Sequence, residues 1–234
     1  MNAIIFDYGG TLDTRGDHWA RVLWDAWQQC DIPVTEQQFR QAYVFAERTL
    51  GRNPIILPSY TFKKLLDVKL RLELEYIFTQ QWWMADKKKY TEVQLALLNN
   101  IYQQVVETVA HSREVLIELR QCCPLALVSN FYGNISAVLG EFRLDGIFQS
   151  ITESAVVGIR KPDPRIFQKG IDDLGLQPGE VLVVGDSIEK DIIPAKTLGC
   201  PTAWMKGRGW TDEAQDATIP TYVISDLSEI KNYV

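Results

Sequence analysis

Apolar positions follow two patterns along the chain, short continuous runs and a helical repeat. The places where one pattern gives way to the other divide the chain into segments. A short apolar run at residues 3–6 has the composition of a buried strand. From about residue 17 to about residue 106, apolar residues recur at helical spacing, with breaks where glycine and proline cluster. This pattern predicts one strand followed by several helices joined by short loops.

The second half of the chain predicts an alternation of strands and helices. Strands are predicted at residues 125–129, 148–150, 181–186, 201–205 and 221–224, and helices at residues 93–106, 113–121, 137–142, 163–174 and 191–198. Such alternation is typical of an α/β fold with a Rossmann-like, doubly wound, mostly parallel sheet. We therefore predict an α/β core domain at residues 1–14 and 107–234, with an inserted α-helical cap domain at residues 15–106.

Composition narrows the class of protein. Apolar residues make up 46% and charged residues 23% of the chain, as in an ordinary globular protein. The 24 Lys and Arg residues against 30 Asp and Glu residues give a net charge of −6, which argues against nucleic acid or a membrane as partner. No apolar stretch approaches the ~20 residues of a membrane span. We expect a cytoplasmic protein whose four cysteines are reduced and bind no metal.

Polar side chains stand where three of the predicted strands end. Asp7, Ser129 and Asp186 each follow or close a buried run, and the ends of parallel strands meet at the ligand-binding edge of an open sheet. Asp191, five residues after Asp186, can point back to the same edge. Because clustered carboxylates repel each other, this set predicts a hard cation, Mg²⁺. As an alternative, Asp186 and Asp191 are an N-cap and a first-turn acid of a helix.

Two further positions are candidates for binding an anion. Lys161 lies between a glycine and a proline turn, where it could neutralise a phosphoryl oxygen or shield Asp7. The hydroxyl of Ser129 and the turn that begins at Asn130 offer hydrogen-bond donors to an oxyanion. Taken alone, each also fits ordinary surface or turn chemistry.

Four segments in this order resemble the motifs of the haloacid dehalogenase superfamily. FDYGGTLD (residues 6–13) is similar to its first motif and LALVSN (residues 125–130) to its second. Lys161 in RKPDPRIF resembles the third motif, and VVGDSIEKD (residues 183–191) the fourth. An insertion between the first and second motifs is similar to the helical cap of one subgroup.

The resemblance implies a hydrolase that acts on a small phosphorylated molecule through an aspartyl-phosphate at Asp7. The implied Mg²⁺ ligands are Asp7, the backbone carbonyl of Gly9, Asp186 and Asp191. The implied catalytic residues besides Asp7 are Ser129, Lys161 and Thr11, of which Thr11 orients the first loop. We expect the substrate to be bound by Ser129, Asn130, Lys161 and His18.

Position 9 departs from the phosphatases of the superfamily. Those enzymes usually carry a second aspartate there, which protonates the leaving group and then activates water, whereas Gly9 can do neither. Loss of a general acid or base typically costs about 10²–10⁴ in rate. The candidate replacements are Asp13, Asp17 and His18, although a histidine at a helix start is an ordinary feature.

Three functions remain open at this stage. The first is a phosphohydrolase that uses another proton donor, or a substrate such as an acyl phosphate that needs none. The second is a dehalogenase or a phosphonate hydrolase; the former dispenses with the metal, and the latter needs a cap lysine for which Lys63, Lys64 and Lys69 show no motif match. The third is a protein that binds a phosphorylated metabolite and turns it over slowly. The sequence leaves the oligomeric state undetermined.

Overall fold

The computed structural model describes residues 1–234 and contains one parallel sheet. Six strands lie in the order β3-β2-β1-β4-β5-β6, and every neighbouring pair is parallel. The strands are β1 (Ala3–Phe6), β2 (Leu125–Ser129), β3 (Ser150–Glu153), β4 (Val181–Gly185), β5 (Thr202–Met205) and β6 (Tyr222–Ile224). The predicted α/β class with a parallel sheet is confirmed.

Helices occupy the segments between these strands. They are α1 (Trp19–Gln29), α2 (Glu36–Arg52), α3 (Phe62–Thr79), α4 (Lys87–Cys122), α5 (Ile135–Glu141), α6 (Ser154–Val157), α7 (Arg165–Leu174) and α8 (Ile193–Thr197). A π-helical turn at Ile188–Ile192 leads into α8. None of the helices combines the length and the apolar character that crossing a membrane would require.

Both faces of the sheet are covered, as its strand sequences require. Successive side chains of a strand point to opposite faces, so β1 contributes to two separate apolar cores. Ile4 and Phe6 belong to the larger core, which includes Leu116 of α4 and continues into the helices before it. Ile5 lies in the smaller core with Phe167 of α7. The fold is therefore doubly wound.

One long helix, α4, joins the helical insertion to the sheet. It runs for 36 residues, about 54 Å at 1.5 Å per residue, and Asp86 caps its start by accepting a hydrogen bond from the Lys89 amide. The prediction of two separate helices, at residues 93–106 and 113–121, was wrong. No glycine or proline falls within α4, so nothing in its backbone chemistry ends the first of them. The helix passes through the predicted domain boundary at residue 106 without a break.

Several other predicted elements have shifted limits, and the reason is clear for two of them. The strand placed at residues 148–150 is β3, which begins at Ser150, because its parallel register with β2 starts at the Ala126–Ser150 pair. Phe148 instead packs in the larger core. The helix placed at residues 191–198 starts earlier, at Ile188, in the π-helical turn that Ser187 caps.

Specific contacts fix the insertion against the sheet domain. Glu141, at the end of α5, accepts hydrogen bonds from the backbone amide of Phe62, where α3 begins, and from the Tyr102 hydroxyl at 2.9 Å. Within the core, the buried hydroxyl of Ser112 donates to the carbonyl of Leu12 at 2.8 Å and so fixes α4, the helix that leads out of the insertion, against the first loop. The helices of the insertion are thus held over the carboxyl edge of the sheet.

Candidate active site

The carboxyl edge of the three central strands brings together the residues that the sequence places at strand ends. Asp7 follows β1, Ser129 closes β2 and Asp186 follows β4, and these strands are direct neighbours. The Ser129 hydroxyl donates a hydrogen bond to Asp7 Oδ1 at 2.9 Å. A cavity of about 170 Å³ opens here, with Asp7 on the sheet side and Trp19 and Tyr43 among its walls from the insertion.

Three carboxylates converge at this edge. Asp7, Asp186 and Asp191 each offer an oxygen, and these atoms lie within 4.8 Å of one another. Burial, together with the charges of Asp191 and Asp7, raises the pKa of Asp186 well above its usual range. Burial also raises the pKa of Asp191, against the opposing attraction of Lys161. The three acids therefore favour a bound cation, since their mutual repulsion is relieved by positive charge.

Glycine is required where the backbone passes these acids. Gly10 has φ +96°, and a Cβ there would overlap the Asp186 carboxylate. A Cβ at Gly185 would likewise overlap the side chain of Asp191. The turn after β1 and the end of β4 can approach the carboxylates this closely because neither residue has a side chain.

Lys161 supplies positive charge inside the cluster. Its Nζ atom lies 2.8 Å from Asp7 Oδ1 and 2.7 Å from Asp191 Oδ1. Burial alone would lower the pKa of Lys161, but the attraction of Asp191 and Asp7 outweighs it and raises the pKa, so the ammonium form is retained. Asn130 fixes the backbone of Lys161 by accepting from its amide at 2.9 Å and donating to its carbonyl at 3.1 Å.

The other predicted site residues lie at the same cavity or beside it. Asn130 lines the cavity, but its side-chain amide is committed to the Lys161 backbone. The Thr11 hydroxyl donates to Asp186 Oδ1 at 3.2 Å, which joins the first loop to the fourth motif. Gly9 also lines the cavity, and a Cβ built on it would lie 3.8 Å from Trp19 Nε1.

His18 lies at the cavity as the N-cap of α1. Its Nδ1 accepts a hydrogen bond from the Ala20 amide at 3.1 Å. Burial, with the positive charges of Lys190 and Lys69, lowers the pKa of His18 to about 4. The imidazole is therefore neutral near pH 7, and one of its nitrogens already serves the helix.

The two remaining candidate donors differ in their surroundings. Asp17 is half-buried and forms an ion pair with Arg208, whose Nε lies 2.9 Å from Asp17 Oδ2. Asp13 is 2% exposed and lines the cavity, and its Oδ1 accepts a hydrogen bond from the Gly10 amide at 2.7 Å. Only Asp13 of this pair lines the cavity.

The insertion contributes a polar cluster that the motifs do not reveal. Lys69 Nζ pairs with Glu47 Oε1 and lies 4.5 Å from the centre of the Tyr43 ring. The Tyr132 hydroxyl donates to the second oxygen of Glu47 at 3.1 Å. A signal was present in the sequence, because Lys69 stands at an apolar position of the α3 repeat. A buried lysine needs a partner, and that partner marks a polar site.

Known proteins that resemble the chain include several phosphatases. The family model described as haloacid dehalogenase-like hydrolase matches residues 1–199. The chain is 30% identical over 139 residues to a glyceraldehyde 3-phosphate phosphatase of Pyrococcus abyssi, covering 58% of this chain and 54% of that protein. It is 36% identical over 83 residues to a phosphoserine phosphatase of Thermus thermophilus, covering 36% and 32%. The chain thus spans about a third to a half of the length of these curated relatives.

A longer match and two solved structures extend the comparison. Haloacid dehalogenase-like hydrolase domain-containing protein 3 of Mus musculus is 26% identical over 215 residues, which is 86% of this chain and 78% of that protein. A HAD phosphatase from Thermococcus onnurineus has a TM-score of 0.55 at 21% identity and covers 100% of this chain and 97% of its own. A dehalogenase with an intermediate complex has a TM-score of 0.64 at 19% identity with the same coverage. These two structures show a shared fold only.

The family match extends over most of the chain and includes all four of the motifs, and the sheet and its carboxyl edge agree with it. The resemblance inferred from those motifs is therefore confirmed. The chain belongs to the haloacid dehalogenase-like hydrolases.

Proposed function

We propose that the protein is a Mg²⁺-dependent phosphohydrolase that cleaves a small phosphorylated molecule through an aspartyl-phosphate at Asp7. The main support for this proposal is the way in which the two oxygens of the Asp7 carboxylate are contacted. Ser129 and Lys161 both contact its Oδ1, while Oδ2 accepts no hydrogen bond from the protein. One oxygen is thus held in place and the other is free to attack phosphorus.

The carboxylate cluster fits the cation that the family implies. Asp7, Asp186, Asp191 and the carbonyl of Gly9 are all oxygen donors, the class that Mg²⁺ prefers. Three acids surround the single ammonium of Lys161, so the cluster carries an excess of negative charge unless protons or a cation balance it. When bound, Mg²⁺ supplies charge neutralisation to the phosphoryl oxygens.

The residues of the chain account for the remaining needs of phosphoryl transfer. In this proposal Ser129 and Lys161, which now contact Asp7, hold the phosphoryl oxygens as these approach it, a step dominated by positioning and charge. The insertion, residues 15–106, acts as a cap that excludes water from the cavity. The names of the phosphatase relatives support small phosphorylated substrates.

A second candidate is a protein that binds a phosphorylated metabolite and turns it over slowly. Gly9 favours it, because the position that usually holds an acid carries no side chain. The two candidates share the metal and phosphate site and differ only in the rate of the chemical step.

The test follows phosphate release and intact mass together, with p-nitrophenyl phosphate or acetyl phosphate and Mg²⁺. We expect steady turnover that Asp7→Asn abolishes, whereas Asp31→Asn, at an exposed acid outside the cavity, keeps it. A single burst with a phosphoryl group retained on Asp7 would mean that attack occurs and hydrolysis of the intermediate fails. No release at all, combined with a higher melting temperature in Mg²⁺ and phosphate, would favour the binding protein.

A further inference from the structure

We propose that Asp13 is the acid–base residue of this site and takes the place of the acid that position 9 lacks. This inference rests on the proposed phosphohydrolase function. It concerns the one chemical task to which none of the implied catalytic residues is assigned.

Asp13 has the right location. It lies at the end of the loop that starts at Asp7, and it lines the same cavity as Asp7 and Gly9. The hydrogen bond from the Gly10 amide to its Oδ1, at 2.7 Å, folds the carboxyl group back onto the loop. The second oxygen, Oδ2, takes no part in that bond.

Asp13 and position 9 both lie near the indole nitrogen of Trp19. A Cβ built on Gly9 would lie 3.8 Å from Trp19 Nε1. The same indole N–H is close enough to the Asp13 carboxyl group to lower its pKa. Asp13 therefore reaches the indole that a side chain at position 9 would also meet, although it starts from a different point of the loop.

The surroundings of Asp13 suit an acid that carries a proton near neutral pH. Burial raises the pKa of Asp13 to about 8, while the Gly10 hydrogen bond opposes this and the charge of Asp7 adds to it. The other candidates do not have these properties. Asp17 is paired with Arg208, and His18 is neutral with one nitrogen used as a helix cap.

The chemistry balances with Asp13 in this role. Asp7 attacks phosphorus, the bond from phosphorus to the leaving oxygen breaks, and Asp13 gives its proton to that oxygen. The Asp13 carboxylate then takes a proton from water as the water oxygen attacks the phosphorus of phospho-Asp7. The bond from phosphorus to Asp7 breaks, inorganic phosphate leaves, and Asp13 is protonated again.

The test compares two leaving groups in the variant Asp13→Asn, whose amide oxygen can still accept from Gly10. Phenyl phosphate has a more basic leaving group than p-nitrophenyl phosphate and so needs the proton more. We expect kcat/KM to fall by about 10²–10⁴ for phenyl phosphate and far less for p-nitrophenyl phosphate. After acid quench, intact mass should show a phosphoryl group retained on the variant and not on the wild type. Adding Gly9→Asp to Asp13→Asn should raise kcat/KM for phenyl phosphate at least tenfold above that of Asp13→Asn, since a Cβ has room at position 9.

The controls separate this inference from the proposed function. Asp31→Asn should keep the wild-type dependence on the leaving group. If Asp13→Asn stays within threefold of the wild type on both substrates and retains no phosphoryl group, Asp13 is not the acid–base residue, although the phosphohydrolase stands. If the wild type neither releases phosphate nor forms a phosphoenzyme, both proposals fail together. If Asp13→Asn unfolds below the assay temperature, the double variant Gly9→Asp/Asp13→Asn decides the question. An active double variant supports the inference, and a double variant that is folded but inactive overturns it.

Discussion

A buried acid in α3 makes the stability of the protein depend on pH. Glu73 is 0% exposed, and neither of its carboxyl oxygens makes a hydrogen bond of normal geometry. The indole N–H of Trp27, which lies beside it, is likewise unpaired. Burial raises the pKa of Glu73 from 4.5 to about 8, against the attraction of Lys69. In the folded protein near pH 7, Glu73 therefore keeps a proton that it loses on unfolding.

The sign and size of the effect follow from this difference. Between about pH 5 and about pH 8 the folded state binds one more proton at Glu73 than the unfolded state does, so the free energy of unfolding falls as pH rises. The stability that the protonated form provides is complete below the unfolded pKa and is lost as pH rises to the folded pKa of about 8. At about 1.4 kcal/mol per pKa unit, this loss is on the order of 4 kcal/mol.

Urea unfolding of Glu73→Gln across that pH range measures the effect. Glutamine has the same shape and does not titrate, so the variant should lose the one-proton contribution of Glu73 to the slope and gain stability relative to the wild type as pH rises. Asp13, whose pKa burial likewise raises to about 8, keeps its own contribution in both proteins. Glu75→Gln, at an exposed position of the same helix, should keep the wild-type slope. If the curves of Glu73→Gln and the wild type run parallel from pH 5 to pH 8, Glu73 is not held neutral in the fold.

Two further predictions test the packing and the charge balance. Gly170→Ala should destabilise the protein by about 1–3 kcal/mol in urea unfolding, because its Cβ would lie 2.7 Å from Val128 Cγ2. Gly51→Ala should stabilise the protein by about 0.5–1 kcal/mol, because this exposed glycine lies in α2 and a Cβ there would have no atom within 4 Å. Equal effects of the two changes would contradict this packing. Lys161→Met should abolish turnover and lower the melting temperature without metal, because breaking a buried ion pair costs about 3–5 kcal/mol, and added Mg²⁺ should recover part of the loss. An unchanged melting temperature would show that Lys161 does not balance the acids.

The placement of the strand-end residues was predictable because parallel strands run in one direction. Once the runs that precede Asp7, Ser129 and Asp186 are assigned to one sheet, those residues share an edge whatever the strand order. The position of Lys161 was not predictable in this way, since it depends on hydrogen bonds that Asn130 makes across 31 residues of the chain. Sequence spacing carries no information about such contacts between loops.

The long helix shows why a pattern can mislead about continuity. Polar residues around position 112 interrupt the apolar repeat, which predicts a break between two helices. In the structure Ser112 is buried and its hydroxyl donates to the Leu12 carbonyl, so a polar residue occupies a packed position without ending the helix. The partner that makes this possible lies 100 residues away and has no local signature.

Under the proposed function, the two parts of the fold have different roles in binding the substrate, as the charges that line the cavity indicate. The sheet side carries the carboxylates and Lys161, which suit the Mg²⁺ and the phosphoryl group of the proposed function. In the insertion, Lys69 is matched by Glu47, so this wall offers donors and acceptors beside aromatic rings without an excess of charge. Under the proposed function, discrimination between phosphorylated molecules therefore has to come from the group that leaves. The proposed role of Asp13 fits the same division, because an acid at that position would serve the leaving oxygen from the sheet side and leave the insertion free to select what is attached to it.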